Sequence, residues 1–539
     1  MEFILFLLWG IRTGVSLLSA TYYWQLKEYR WDRMREFLST QQTASVFFST
    51  QQLLMLFFLG GYLSLEFLMV INPLKNALVP LLGTLFLAEI LQFLHQVWQR
   101  KAKRPRFTTK ALLILGLSFI LECVLLMFIY FIGEVGFSLH DLALYLGILA
   151  LIDHDIHAVV ILGVLNPVSM FFKKRMFHQA ADKRKKFSQL KVVGITGSFG
   201  KTSVKEYLSH VLEGQFNVLK TEKNTNTEIG ITQTILKNLQ PHHEVFVCEM
   251  GAYKKGEIAL CSQIARPDIA VFTGLNHQHV ALFGSLDKTF AAKWELVSSL
   301  NEQGVAVFNG DCDALSDRLK SFRGKTILCK TKAENSKISH ISVQSDGLSF
   351  EYKETHFESV LIGEFQIVNL VMVIEVAEQL GMSLEKISQR IRTIKAPEQT
   401  MQMRNFSKGV IIDDSYNVNS DGLTAALKHL ETFENYQKIV FFPGVLELGE
   451  KSQMMHMEMG SELGKYVDYA FLTDKSFSEM ISRGALQSGL TRAHIFEMSD
   501  TDEIIKQLDE LFEEEKDAKW VLLFESRGSQ KVMDSLMKH

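Results

Sequence analysis

Thr196-Gly197-Ser198-Phe199-Gly200-Lys201-Thr202-Ser203 follows directly on the apolar run Leu190-Lys191-Val192-Val193-Gly194-Ile195. The run predicts a short buried strand, and the stretch from Val204 to about Leu212 predicts a helix. Strand, glycine loop, Lys-Thr and helix, in that order, are the context of a phosphate-binding loop. Glycines let backbone N–H groups wrap phosphate oxygens, and the helix N-terminus adds positive potential. Lys201 is placed to reach the terminal phosphates and the Thr202 hydroxyl to ligate Mg2+, so Thr196, Gly197, Ser198, Gly200, Lys201, Thr202 and Ser203 are candidate nucleotide contacts. Ile195 stands where the strict motif has its first glycine.

Upstream of this loop the composition changes. The 539 residues are 47 % hydrophobic and 22 % charged, with mean hydropathy +0.09. Residues 1–190 carry 19 Lys+Arg against 12 Asp+Glu, a net +7; residues 191–539 carry 38 against 48, a net −10, and together these give the −3 of the whole. Five apolar segments, about 3–22, 46–72, 78–98, 109–133 and 142–166, are each near the roughly 20 residues a bilayer core requires. The flanks 25–37, 99–110 and 171–190 hold seventeen basic residues, and the opposite ends hold only Lys75. That asymmetry puts the N-terminus outside and everything beyond residue 166 in the cytoplasm, as a multi-pass protein of a bacterial-type inner membrane with the lipid bilayer as its partner. Segment 3–22 has the alternative of a cleaved signal peptide, but it lacks a basic leader and Arg12 interrupts it. Ionisable residues inside the spans (Arg12, Glu66, Glu89, His95, Glu122 and the cluster Asp153, His154, Asp155, His157) read either as a polar cavity for a headgroup or metal, or as interhelical pairs. The five scattered cysteines include no CxxC pair and exclude a thiolate zinc cluster or disulfide scaffold. Nucleic acid is not an expected partner, because the half beyond the spans is acidic and the basic runs flank the membrane.

Downstream, the phosphate loop is followed by an ordered series of motifs: Asn224-Thr225-Asn226, Ile229-Gly230, Cys248-Glu249-Met250-Gly251-Ala252, Gly256-Glu257-Ile258 and Asn276-His277-Gln278-His279-Val280. Then come Phe283-Gly284-Ser285, Lys293-Trp294-Glu295-Leu296, Asn309-Gly310-Asp311, Gly363 with Asn369, Ile412-Asp413-Asp414-Ser415-Tyr416-Asn417, Leu446-Glu447-Leu448-Gly449 and His456. This series resembles the Mur ligase superfamily over about 190–460. The Cys248–Ala252 and Gly256–Ile258 stretches are most similar to the member that adds D-alanyl-D-alanine to the muramyl tripeptide. The resemblance implies a multi-domain chain. A five-helix transmembrane domain (1–170) and a basic linker (171–189) precede an α/β P-loop central ATP-binding domain (190–396) and a smaller Rossmann-like α/β C-terminal domain (397–539). Lys438–Phe442 is expected as the first strand of that last domain.

What the resemblance implies chemically is a two-step ligase. A carboxylate attacks the γ-phosphorus of ATP to give an acyl phosphate, and an amine displaces phosphate to give an amide. Such chemistry asks mainly for positioning and charge neutralisation. Lys201, Lys293 and His279 match the family's catalytic positions. Thr202 and Glu249 match its first Mg2+ site, and His279 and Lys293 its second. Lys293 matches a lysine that becomes carbamylated, which makes it an anion. Gln366, Asn369 and Asp414 match nucleotide contacts; Asn224, Thr225, Asn226, Tyr416, Asn417 and Arg527 match substrate contacts. Thr400 stands where the family has an arginine, with Arg404 a candidate substitute. Gly274 replaces an asparagine, and Glu525-Ser526-Arg527-Gly528-Ser529 replaces a Lys-Gly-Ser-Arg stretch. The family's UDP-binding N-terminal domain has no counterpart, since the apolar segments reach almost to the phosphate loop. The expectation is a membrane-anchored ligase. It would join an amino acid or short peptide to a membrane-associated or lipid-linked carboxylate of the cell envelope. The alternatives are a catalytically degenerate scaffold and an ATP-driven transporter.

Overall fold

The computed structural model describes residues 2–27, 29, 34, 57, 72–99, 102, 104–132, 145–149, 154–223, 225–276, 285–312, 315, 322–331, 337–416, 418–445, 448, 451–525 and 527–537. The chain divides into two compact units, Met1–Lys173 and Lys174–His539.

In the first unit, helices α1 (Glu2–Leu26), α2 (Asn72–Trp98) and α3 (Thr109–Ile132) carry the stretches Phe3–Leu26, Pro80–Trp98 and Thr109–Phe128, which are long and apolar enough to cross a bilayer. α1 packs against both other helices. Phe3, Leu91, Ile120 and Phe128 stay exposed on the outer faces, the distribution expected where the surroundings are themselves apolar. Arg12 of α1 donates through Nε to Glu89 Oε2 of α2 at 2.7 Å, and both side chains are shielded. Two of the charges that the sequence places inside candidate spans therefore neutralise each other. The expected span 46–72 lies outside the described residues except for Phe57, as do Glu66 and Asp153. The expected span 142–166 falls partly on the start of α4 (His154–Lys185), which continues as helix through most of the stretch read as a linker.

In the second unit, β1 (Lys191–Thr196), α5 (Lys201–Leu212), β2 (Val218–Lys220), α6 (Glu228–Asn238), β3 (Val245–Glu249), α7 (Glu257–Ala265), β4 (Ile269–Phe272), α8 (Leu286–Ser298), β5 (Val305–Asn309) and β6 (Lys325–Cys329) build a parallel sheet in the order β2-β3-β1-β4-β5-β6. Successive side chains of β1 go to opposite faces, so both faces need a cover. Val193 and Ile195 pack with Val204 and Leu208 of α5, while Val192 packs with Ile231 of α6 and Leu296 of α8. Each such fully buried aliphatic side chain contributes about 1.5–3 kcal/mol. The antiparallel strands β7 (Ile338–Gln344), β8 (Gly347–Tyr352) and β9 (Thr355–Ser359) form a small second sheet, followed by α9 (Gln366–Gln379) and α10 (Leu384–Ile391).

The last part contains β10 (Gln402–Phe406), β11 (Gly409–Asp413), α11 (Ser420–His429), β12 (Tyr436–Phe442), α12 (Ser452–Tyr466), β13 (Tyr469–Leu472), α13 (Lys475–Gln487), β14 (Ile495–Glu497), α14 (Thr501–Glu514), β15 (Lys519–Phe524) and α15 (Gln530–Leu536). Its sheet runs β10-β11-β15-β12-β13-β14, parallel except for the edge strand β10. Lys438–Phe442 is thus the third strand of this sheet in chain order rather than the first. The β10–β11 hairpin precedes it, and the polar sequence Gln402-Met403-Arg404-Asn405 hides that edge strand from a hydrophobicity reading.

Candidate active site

In a doubly wound sheet, ligands gather at the carboxyl ends of strands where the winding direction reverses. That point here is β1, flanked by β3 on one side and β4 on the other. The loop after β1 is held by its neighbour: Ser198 N donates to Gly274 O at 2.8 Å, Thr273 N donates to Thr196 O at 2.9 Å, and Thr273 Oγ1 donates to Phe199 O. Gly200 precedes α5 at φ +73°, a left-handed conformation that costs a side chain dearly, and an added Cβ would stand 3.3 Å from Asn369 Oδ1. A Cβ on Gly274 would overlap the Phe199 ring, so the loop and its support approach each other at van der Waals limits.

Lys201 Nζ donates to Gly197 O at 2.8 Å and to Ser198 O at 3.4 Å. Lys293, on α8 and 2 % exposed, donates to the same Gly197 O at 2.9 Å. Burial pushes the pKa of both ammonium groups down. Glu249 partly opposes this at Lys201, and the Lys201 charge adds to it at Lys293, which lies well below the ordinary lysine range. Glu249 closes β3 with its carboxylate fully engaged. Oε2 accepts from Thr202 Oγ1 at 3.1 Å and lies 3.5 Å from the wholly buried Lys205 Nζ; Oε1 accepts from Asn226 Nδ2 at 3.0 Å. Thr196 Oγ1 donates to Met250 O at 2.9 Å, inside the core. Gln366 Oε1 accepts from Asn369 Nδ2 at 3.1 Å and from Tyr207 at 3.3 Å.

Above the loop lies a cavity of about 870 Å³, walled by Ser198, Gly200, Lys201, Thr202, Ser203, Asn226, Glu249 and Asn369 from below and by Asp414 and Tyr416 from the β11–α11 loop. Asp414 Oδ1 accepts from Met401 N at 3.0 Å. Burial, helped by the neighbouring Asp413 charge, pushes Asp414 up to about 7, and Glu525, 1 % exposed beside it, is raised well above the carboxylate range. Thr196, Gln366 and Lys293 support the loop and α9 without lining the cavity. Thr225 Oγ1 donates to Glu222 O at 2.7 Å, outside the cavity wall. Asn224, His279 and Asn417 lie outside the described residues, and Arg527 opens a short turn, Arg527–Ser529. Thr400 lines the cavity, but Arg404 does not: its guanidinium is 3.2 Å from Asp413 and 3.3 Å from Gln402. Tyr253, Asn309, Asp311, Phe365, Asn419 and His429 also line the cavity and were not singled out with a role by the sequence. Asn309 and Asp311 stand in a motif that marked them, and Asn419 in the loop that carries Asp414.

Among the described residues no three His, Cys, Asp or Glu side chains cluster as a metal cage. The Thr202 hydroxyl and Glu249 carboxylate are hard oxygen donors, which suits Mg2+, an ion that keeps several waters and completes its shell with phosphate oxygens.

A glycine loop of P-loop form on a doubly wound sheet, facing a second α/β domain across a cavity, defines an α/β protein with a two-domain cleft. Residues 195–377 match the Mur ligase middle domain and 401–525 the Mur ligase glutamate ligase domain. The UDP-N-acetylmuramoyl-tripeptide–D-alanyl-D-alanine ligase of Bacillus subtilis is 31 % identical over 302 residues, 55 % of this chain and 65 % of that protein. The same ligase of Buchnera aphidicola subsp. Baizongia pistaciae is 30 % identical over 328 residues, 59 % and 68 %. The crystal structure of MurF ligase from Thermotoga maritima in complex with ADP superposes with TM-score 0.59 and 25 % identity over 68 % of this chain and 83 % of that one. A structure of MurF from Acinetobacter baumannii gives TM-score 0.62 at 24 % identity, over 68 % and 81 %. The chain belongs to the Mur ligase family. It spans roughly two thirds of the length of these curated relatives, and its first unit stands outside the matched regions.

Proposed function

We propose that the chain is a membrane-anchored, ATP-dependent amide ligase. It activates a membrane-associated or lipid-linked carboxylate of the cell envelope as an acyl phosphate and joins it to an amino acid or short peptide. The observation that carries the reading is the convergence of Lys201, Thr202, Glu249 and Asn226 on the wall of one cavity. In this reading the loop N–H groups and Lys201 hold the phosphates, while Asn369 and the Gln366 amide behind it hold the nucleoside end. Thr202 and Glu249 would hold Mg2+, which when bound neutralises phosphate charge. His279 and Lys293 belong to a second such position in the family pattern.

Lys293 is an ammonium group buried against one carbonyl, an expensive state. Addition of CO2 to its deprotonated amine forms an N–C bond, releases one proton and leaves a carbamate in place of the cation. In the ligation, a carboxylate oxygen of the acceptor bonds to the γ-phosphorus as ADP leaves. The amine nitrogen then bonds to the acyl carbon, and that oxygen departs with phosphate while the amine gives up a proton. Tyr416, Asn226, Thr225, Asn224, Asn417 and Arg527 are the substrate-side residues of this reading. The apolar helices of the first unit serve as anchor, with the catalytic domains on the cytoplasmic side.

Thr400 in place of an arginine, with Arg404 committed to Asp413, favours a catalytically degenerate scaffold as the second reading. One experiment separates the two. A lipid-linked muramyl peptide labelled with 18O in its terminal carboxylate is incubated with the full chain, Mg-ATP and D-alanyl-D-alanine. Phosphate carrying one 18O supports the ligase; unlabelled phosphate with amide product refutes the acyl phosphate, and absence of both supports the scaffold.

A further inference from the structure

His429 ends α11 and is 3 % exposed, yet it lines the cavity. Among the described residues neither ring nitrogen meets a donor or acceptor in hydrogen-bond geometry, and the Ser345 backbone is the polar group that bears on the ring. Its ring stands edge-on to Phe433, with centroids 5.7 Å apart. The surroundings fix its place along the cavity. Lys428 Nζ donates to Glu364 Oε2 at 2.7 Å, which pins the end of α11 beside Phe365. Phe365 precedes α9, and Asn369, one turn further along α9, reaches Gly200 of the phosphate loop. The order away from the phosphate loop is therefore Gly200, Asn369, Phe365, His429. The same cavity wall carries the apolar side chains of Val343, Phe365, Val368 and Ala425 beside the polar Glu364, Lys428, Glu431 and Thr432.

A cavity wall that sets apolar side chains beside one buried imidazole with no partner in hydrogen-bond geometry suits a heteroaromatic ring whose edge carries hydrogen-bonding atoms. Leaving such an imidazole unpaired costs free energy, and a ligand atom that satisfies it recovers that cost. Building on the ATP reading above, we propose that His429 is a specificity-determining residue that reads the edge of the adenine base through one ring nitrogen. Burial holds the imidazole down at about 4, against an opposing influence of the Ser345 backbone, so near neutrality the ring offers one donor and one acceptor. Adenine presents both kinds of partner, an exocyclic amine and ring nitrogens.

The test uses the full chain in detergent and calorimetric titration with Mg-ADP and Mg-GDP. His429→Phe keeps the ring's bulk without hydrogen bonding, and His429→Asn keeps a donor and an acceptor. Wild type is expected to prefer ADP. His429→Phe should weaken ADP about 3- to 10-fold, the worth of one hydrogen bond, and leave GDP unchanged. His429→Asn should recover part of the loss. The nucleotide-free Tm of His429→Phe should hold or rise, because an unsatisfied buried group has gone. Unchanged ADP affinity in His429→Phe overturns the inference, as does an equal loss for ADP and GDP with a lowered Tm. Wild type that binds neither nucleotide overturns the ATP reading itself, and this inference with it.

Discussion

Lys201→Ala separates catalysis from folding, and the structure sets both magnitudes. Among the described residues the Lys201 ammonium donates to two loop carbonyls, Gly197 O at 2.8 Å and Ser198 O at 3.4 Å, and the Glu249 charge acts on it from nearby. Truncation leaves Gly197 O still accepting from Lys293 at 2.9 Å, and it removes the like charge that bears on Lys293. The stability change is therefore expected within about 1 kcal/mol, or roughly 2–4 °C in Tm for domains of this size. Catalysis loses far more. A charge-assisted hydrogen bond to phosphate is worth about 1.5–3 kcal/mol in the ground state. A preorganised donor aimed at developing transition-state charge is worth about 2.7–4 kcal/mol, which is roughly 10²–10³ in rate. The assay is phosphate release from Mg-ATP by the purified full chain, run beside thermal unfolding of the same preparation. Turnover within about threefold of wild type would refute the phosphate role of Lys201. Lost turnover with Tm lowered by 10 °C or more, on the same per-kcal scale, would show a structural role instead.

Three further outcomes follow from the geometry. Glu249→Gln keeps the Asn226 contact but takes a carboxylate from the wholly buried Lys205, which retains Glu206 at 3.1 Å. Tm should fall by an amount equivalent to about 3 kcal/mol or less, and Mg2+ should no longer tighten nucleotide binding in a Mg2+ titration. Gly274→Val drives its side chain into the Phe199 ring and displaces the phosphate loop. It should cost about 1–3 kcal/mol of stability by urea unfolding and weaken Mg-ADP at least about tenfold. Asp414, pushed up to about 7 in the folded chain, binds a proton there that the unfolded chain releases near pH 4. Its contribution to stability is thus full below about pH 4 and declines as pH rises through 7. Asp414→Asn should flatten the fall in urea midpoint between pH 5 and 8, and an unaltered slope would contradict the shifted carboxyl.

The phosphate loop was legible because its signals are local. A buried apolar strand, two glycines and Lys-Thr at the start of a helix all lie within twenty residues, and β1 with α5 fall where they were expected. Glu249 was legible because it closes the apolar strand β3. Lys293 was legible only through family likeness, since α8 reads as an ordinary amphipathic helix and nothing local says that this lysine is buried against Gly197. The β10–β11 hairpin was missed because its edge strand alternates half-buried with exposed residues and puts the polar Gln402 and Arg404 on the half-buried side. His429 carried no signal at all. Its significance comes from the Lys428–Glu364 contact across 64 residues, which sequence periodicity does not encode. Arg404 was read as a stand-in for the missing arginine, and its contact with Asp413 across the hairpin is a tertiary fact of the same kind.

The measurement that bears most directly on a membrane-substrate ligase is phosphate release by the full chain in detergent with Mg-ATP. Two acceptor sets are compared, lipid-linked peptidoglycan precursors and soluble UDP-muramyl peptides, each with candidate amino acids and dipeptides. The account predicts stimulation by the lipid-linked set, with amide product in equal amount to phosphate. Stimulation by the soluble set alone would contradict it and make the chain a ligase of nucleotide-sugar peptides.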